Sequence, residues 1–347
     1  MLTRALWVSF IFLGVVAAVS GIAWTEVTNQ LTKPHKSYSG PGVFVTIAPG
    51  DSTSVIANRL MHEGIVVDSR IFRFAVWKND LDRALQAGEY YFDAPLSPLE
   101  VVDHIARGRV YLRTITFPEG LTVAEMAKRF ESESFGSAES FMEAADRVEL
   151  VSEMDPGAEN LEGYLFPETY SLPRDATADD LVEEMVAQFE VAFTDELRAI
   201  AVEAGLSVRE TVTLASIIQK ETGSAGEHTT VAAVYRNRLN IGMPLQCDPT
   251  VIYALSLAGE YDGNLTRTSL QFDSPYNTYR YGGLPPGPIA APGGAVLEAA
   301  LHPADVPFLY FVSRNDGTHA FATTLREHNR NVRKFQVEYF RRRRSGS

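Results

Sequence analysis

The stretch Leu214-Ala215-Ser216-Ile217-Ile218-Gln219-Lys220-Glu221-Thr222 decides how the larger part of the chain is read. Leu214, Ile217, Ile218 and Glu221 stand at i, i+3, i+4 and i+7, so they share one stripe of an α-helix. Gln219 and Lys220 face elsewhere. A carboxyl thus occupies a position where the pattern asks for an apolar side chain. A charged acid on a core-facing stripe is costly without partners. Its pKa should rise, which is what a general acid working near neutral pH needs. Spacing alone leaves the plainer alternative open, an acid at a helix end that reaches solvent, because structural acids also sit on such stripes.

Working outward, Ser207-Val208-Arg209-Glu210 fits a capping box and starts the helix near Val208. Gly223 is the expected stop, which puts Glu221 in the last turn. A helix C-terminus disfavours negative charge, so burial and dipole push the carboxyl the same way. On one side, residues 178–204 are amphipathic with a break near Thr194, and 160–170 are aromatic and interrupted by Gly163 and Pro167. Residues 123–130 and 138–147 read as helices. On the other side, 230–239 reads as a helix ended by Gly242, and Asp248-Pro249 as the N-cap and first residue of another. Asn315-Asp316-Gly317, flanked by 308–312 and 319–321, signals a hairpin. Between these lie Pro275-Tyr276-Asn277-Thr278-Tyr279 and Gly282-Gly283-Leu284-Pro285-Pro286-Gly287-Pro288, which have no period. Rings for stacking and amides and hydroxyls for sugar hydroxyls would suit a glycan there. Ordinary packed loop structure fits equally well.

Nearer the N-terminus, strands at 43–47, 87–92 and 110–117 alternate with helices at 54–62, at 98–106 and from a Ser69 cap to about Trp77. These residues, 42–117, make a small α+β module. Residues 25–41 are polar, run into Ser37-Tyr38-Ser39-Gly40-Pro41-Gly42 and read as a linker. Residues 5–24 carry no charge, with Trp7 and Trp24 near the ends, long enough for a transmembrane helix. Ala18 and Ser20 could serve signal-peptide cleavage, but the apolar run exceeds the usual core of ~7–15 residues, so an uncleaved anchor is expected. Arg4 before the span against Glu26, Lys33 and Lys36 after it marks orientation only weakly. The expected fold class is α+β: a transmembrane helix in 1–24, the small module, and a mixed α+β catalytic domain over 118–340. Residues 341–347 form a short basic tail whose simplest reading is a solvated end.

Composition excludes several classes. The 347-residue chain has a net charge of −13, which argues against a nucleic-acid partner, and its apolar fraction of 45% supports a sizeable core. A single cysteine, Cys247, excludes an intrachain disulfide and a cysteine-built metal site. Cys247 has no nucleophile motif and reads as a small buried or loop residue. His302, His319 and His328 lack metal-ligand spacing and read as structural or hydrogen-bonding. Ser216 lacks the context of a hydrolase nucleophile.

Taken together, Leu161-Glu162-Gly163, Phe166-Pro167-Glu168-Thr169, Ala215-Ser216-Ile217-Ile218 with Lys220-Glu221-Thr222, Leu245-Gln246 with Asp248-Pro249-Thr250-Val251-Ile252-Tyr253, Tyr276-Asn277-Thr278-Tyr279, Gly283-Leu284-Pro285-Pro286-Gly287-Pro288-Ile289 and His302-Pro303 resemble the endolytic murein transglycosylases of the YceG-like family. The resemblance covers nearly the whole chain, and it reads the small module as LysM-like. The family's catalytic Glu falls on Glu221. Two positions depart: many relatives carry Glu where this chain has Gln219, and Thr or Ser where it has Cys247. The first weakens any mechanism needing two carboxylates there, and the second suggests that a hydroxyl is not required.

The resemblance implies a lyase that cuts the β-1,4 bond between N-acetylmuramic acid and N-acetylglucosamine within glycan strands, leaving 1,6-anhydro ends. One carboxyl suffices: Glu221 protonates the glycosidic oxygen, then takes the proton of the 6-hydroxyl as it closes on C1. Gln246, Asn277 and Tyr279 are the expected substrate-binding residues. No metal or organic cofactor is implied. Peptidoglycan strands are the expected partner, with cell-wall synthesis enzymes plausible beside them. The expected location is the bacterial cytoplasmic membrane, single-pass, with the catalytic part on the periplasmic side. Two other readings stay open: a hydrolytic muramidase using Asp248, Glu162 or Glu168 as a second carboxylate, and a non-catalytic peptidoglycan-binding scaffold. In the first, Asp248 is expected to be occupied as a helix cap.

Overall fold

The computed structural model describes Gly14, Val15, Ala18, Ser20, Gly21 and residues 24–341. The transmembrane expectation falls largely outside the described residues. Among the described residues no helix is long and apolar enough to cross a membrane. Two compact units divide the chain between Arg113 and Thr114.

The first unit is mixed α+β. Val43–Ile47 and Gly88–Phe92 pair antiparallel, with Val45 opposite Tyr90. Alternation turns Val45, Ile47, Tyr90 and Phe92 inward, onto a core with Ile56, Leu60, Phe72, Val101 and Ile105. Helices Thr53–His62, Ser69–Lys78 and Pro98–Ala106 supply those last five. Two local expectations need correction. Asp68, not Ser69, caps the second helix, accepting from Arg70 N–H, because a carboxylate reaches the free donors of the first turn. The polar stretch read as a linker starts in helix, which runs over residues 24–32, and Leu31 is buried in this unit's core. Composition missed it because a single apolar anchor is enough to hold a short polar helix.

The second unit is helical with two small sheets. Arg113–Thr116, all but its first residue in this unit, pairs with Thr169–Leu172. Sequence pattern alone assigns this strand to the end of the small module. Its partner lies more than fifty positions away, a non-local pairing that no local pattern reports. Helix Val208–Glu221 is the centre of the unit. Thr211 to Ile218 are all buried, and Gly294–Leu301, His228–Asn240, Asp248–Leu257 and Asp195–Glu203 pack around it. Its N-terminus carries the expected capping box, Ser207 with Glu210. The break near Thr194 is present too: Thr194 caps Asp195–Glu203 after Ala178–Ala192 ends. Ser216 is structural, its hydroxyl donating to Thr213 O at 2.8 Å and accepting from Ile289 N–H at 3.0 Å. Gln219 accepts from Gly293 N–H at 3.0 Å, at the start of Gly294–Leu301. Gly163 has φ +85° and faces Pro288 so closely that a Cβ would lie 2.4 Å away, so only glycine lets the 160–170 segment pass the 282–288 loop.

Glu162 is buried in this unit. Its carboxyl accepts from Val123 N–H at 3.1 Å and from the Tyr253 hydroxyl at 3.2 Å. Burial outweighs those bonds and pushes its pKa from the ordinary 4.5 up to about 8. The folded chain therefore holds a proton that the unfolded chain has lost across that window. Stability should fall as pH rises through it, by up to roughly 1.4 kcal/mol per pH unit. In Glu162→Gln the part due to this group should vanish. Denaturant unfolding of both proteins at pH 5, 6.5 and 8 checks this, and parallel pH dependences would show that Glu162 does not titrate in the window.

Candidate active site

Glu221 is the last residue of its helix. The helix stops because Thr222 turns extended, with φ −139°, and its Oγ1 accepts from Ser224 N–H. Gly223 stands just past this C-cap, so Glu221 is in the last turn as expected. Glu221 lies on the wall of a cleft of about 650 Å³. Tyr235, Gln246, Asp248 and Tyr279 line it too, and the hairpin contributes Tyr310, Phe311 and His319. That hairpin is the expected one: Tyr310–Ser313 pairs with His319–Ala322, and Asn315 and Gly317 take positive φ in its turn.

Glu221 is held from two sides. Tyr235 donates its hydroxyl to Oε1 at 2.8 Å. The thiol of fully buried Cys247 acts on the same carboxyl, favouring its charged form. Burial raises the Glu221 pKa, the Cys247 and Tyr235 donors pull it down, and the negative charge of Asp248 raises it again. Burial is the largest of these causes, so the net direction is upward, toward the protonated acid.

Asp248 is corrected. It is the first residue of Asp248–Leu257, and Cys247 stands at the N-cap without a side-chain cap bond. Asp248 is therefore free of capping duty; its Oδ1 accepts the Tyr279 hydroxyl at 2.6 Å in the cleft. Glu162 and Glu168 do not line the cleft. Gln246 lines it, exposed, with φ +49°. Asn277 does not, and its expected sugar contact is corrected as well. It is completely buried, donating to Leu270 O and Phe272 O and accepting from Tyr279 N–H at 3.0 Å. Its amide fixes the loop that presents Tyr279. His319 does hydrogen-bond, as expected: Nδ1 is 2.7 Å from Glu227 Oε2.

Sequence reasoning missed Tyr235, Arg238 and the contact of Cys247 with Glu221. A signal existed for the first two. Val231, Tyr235 and Arg238 stand at i, i+4 and i+7, so two polar groups lie on a buried stripe, as Glu221 does. Nothing in the sequence says which helices face each other.

No group of three or more potential metal ligands occurs among the described residues. The sequence model of the YceG-like family matches residues 45–334. The chain belongs to the YceG-like family. It is 31% identical to a Bacillus subtilis (strain 168) protein named endolytic murein transglycosylase, over 88% of each chain. A Streptococcus pneumoniae serotype 2 protein of the same name is 29% identical over 95% of this chain and 65% of its own length. The crystal structure of a yceG-like protein from Listeria monocytogenes superposes with a TM-score of 0.57 at 32% identity, covering 84% of this chain and 99% of that one. The matched residues include Glu221, Tyr235, Asp248, Tyr279 and the hairpin, so the whole cleft lies within the family region.

Proposed function

We propose that this chain is a peptidoglycan lytic transglycosylase that cuts within glycan strands, at the bond between N-acetylmuramic acid and N-acetylglucosamine, with Glu221 as the one acid/base. The observation that carries the reading is a carboxyl whose pKa burial raises, at the wall of a tyrosine-lined cleft, in a chain similar to proteins named endolytic murein transglycosylase. Protonated Glu221 donates to the glycosidic oxygen as the bond to C1 breaks. The same carboxylate then accepts the proton of the muramic 6-hydroxyl while that oxygen bonds C1. The nucleophile belongs to the substrate, so no water has to be activated. Tyr279 and Asp248, hydrogen-bonded to each other, offer negative charge beside the positive C1 that develops. Gln246 contacts the sugar. Asn277 acts through Tyr279.

One observation favours a second reading, hydrolysis: Asp248 shares the cleft and could activate water. Mass spectrometry of glycan fragments released by the full-length protein separates the two. Anhydro ends support the lytic reading, reducing ends support hydrolysis, and intact strands would leave a binding scaffold. The chain works from a membrane anchor at residues 5–24, with the cleft on the outer side of the cytoplasmic membrane, where its substrate lies. A C-terminal alkaline phosphatase fusion should be active in intact cells; an inactive fusion would place this end in the cytoplasm.

A pH profile reads the two donors on Glu221. The acid must be protonated, so kcat/KM should fall as pH rises through its pKa. Tyr235→Phe removes a bond to the carboxylate and should move this alkaline limb to higher pH. Cys247→Ser replaces a weak donor by a stronger one and should move it lower. Identical limbs in all three proteins would mean that neither group tunes the acid.

A further inference from the structure

Arg238 is 7% exposed and lines the Glu221 cleft. Its Nε donates to Leu309 O at 2.7 Å and its Nη1 to Leu245 O at 2.5 Å. Both partners are neutral main-chain carbonyls. Among the described residues no carboxylate lies within 4 Å of this guanidinium, and Nη2 makes no hydrogen bond. The Tyr310 ring lies 5.4 Å from Cζ. On that ring stacks His328, at 5.3 Å between centroids, and its buried Nδ1 has no partner. His328 lines the cleft as well.

A buried cation without an anion is costly, and a guanidinium offers five donors in a flat fork that matches a carboxylate. Here two donors are spent on carbonyls that fix the fork in place. The remaining edge is left for something that enters the cleft. If the occupant is a murein strand, that something is at hand. Muramic acid bears a lactyl group whose carboxyl is free in a bare strand. In a substituted strand that carboxyl is an amide, and the peptide arm supplies other carboxylates.

We propose that Arg238, with His328 beside it, is a carboxylate-binding subsite of the cleft that receives the acidic arm of a muramic residue. This rests on the glycan reading given above. The subsite gives the cleft a way to tell murein from a neutral chain of N-acetylglucosamine.

The test uses the full-length protein carrying Glu221→Gln, so that ligands are bound and not cut. Calorimetry would compare an N-acetylglucosamine tetramer, a peptide-free tetrasaccharide containing muramic acid, the same with its carboxylates amidated, and a peptide-bearing form. At least one carboxylate ligand should bind about tenfold or more tighter than the neutral tetramer, the worth of a charge-assisted hydrogen bond. Amidation should remove that advantage, which needs no change to the protein. Preference for the bare strand over the peptide-bearing one assigns the lactyl carboxylate, and the reverse assigns the stem. Adding Arg238→Gln should level the ligands, and Arg238→Lys should keep part of the preference, with thermal melting confirming that each is folded. Equal affinity for all four ligands, or a preference that survives in folded Arg238→Gln, overturns the subsite while leaving glycan binding intact. Binding of none of the four overturns the glycan reading, and the subsite with it.

Discussion

Glu221→Gln should lower glycan cleavage by about a thousandfold or more while leaving the fold and strand binding intact. The magnitude follows from the role. General acid catalysis contributes typically 10²–10⁴-fold, and here one group serves as both acid and base, so both proton transfers are lost together. Gln matches Glu in shape. Its amide oxygen can still accept the Tyr235 hydroxyl, which now sits 2.8 Å from Oε1. Because burial already disfavours the charged form of Glu221, a neutral replacement should cost little stability and can even add some. The expected signature is therefore specific: kcat collapses, binding of an intact strand persists, and the melting temperature holds or rises. Rates of fragment release, with melting curves on the same samples, check all three. Residual cleavage within tenfold of wild type would move the acid to another residue, with Asp248 the first to examine.

That residue was legible in the sequence for a clear reason. Helical periodicity reports which face a side chain occupies, and Glu221 occupies the wrong face for an acid. The capping box at Ser207 fixed where the helix begins, and the Asn315-Asp316-Gly317 turn fixed the hairpin that lines part of the cleft. These are local signals, carried within a few residues. What failed was non-local. Asn277 sat in a loop without a period, and nothing in its neighbours showed that its amide would be consumed by Leu270 O, Phe272 O and Tyr279 N–H. Asp248 looked like a cap because Asp-Pro is a common helix start, yet the helix begins one residue earlier than a cap there requires. The contacts of Tyr235 and Cys247 with Glu221 join three separate helices or helix ends, and only packing brings them together. The sequence marks Cys247 as unusual, but not that its thiol acts on the acid.

The largest stability effect is expected at Arg209, where the Glu221 helix begins. Its Nε and Nη2 grip both oxygens of Asp155, at 2.8 and 2.9 Å. Asp155 is 8% exposed and also receives the Tyr164 hydroxyl at 2.6 Å. Tyr164 is buried, and its phenol pKa is raised by that burial first and by the adjacent carboxylate second. The cluster ties the 155–164 segment to the N-terminal turn of the helix that ends in Glu221. Arg209→Met keeps much of the side chain's bulk but leaves Asp155 buried with no cation. Removing one partner of a buried pair costs about 3–5 kcal/mol, far more than the net worth of the pair, because an uncompensated charge remains. Part of Arg209 reaches solvent, so the lower end is expected, and in a unit of this size that is a melting temperature lower by roughly 6–12 °C. Neutralising the stranded acid separates the two contributions. Asp155→Asn added to Arg209→Met should recover more than half of the loss, since the amide can still accept from Tyr164 and carries no charge. If the double variant is no more stable than Arg209→Met, the cost lies in lost packing and not in charge. Cleavage rates of the refolded single variant then show whether this anchor, at the far end of the helix, also holds Glu221 in place.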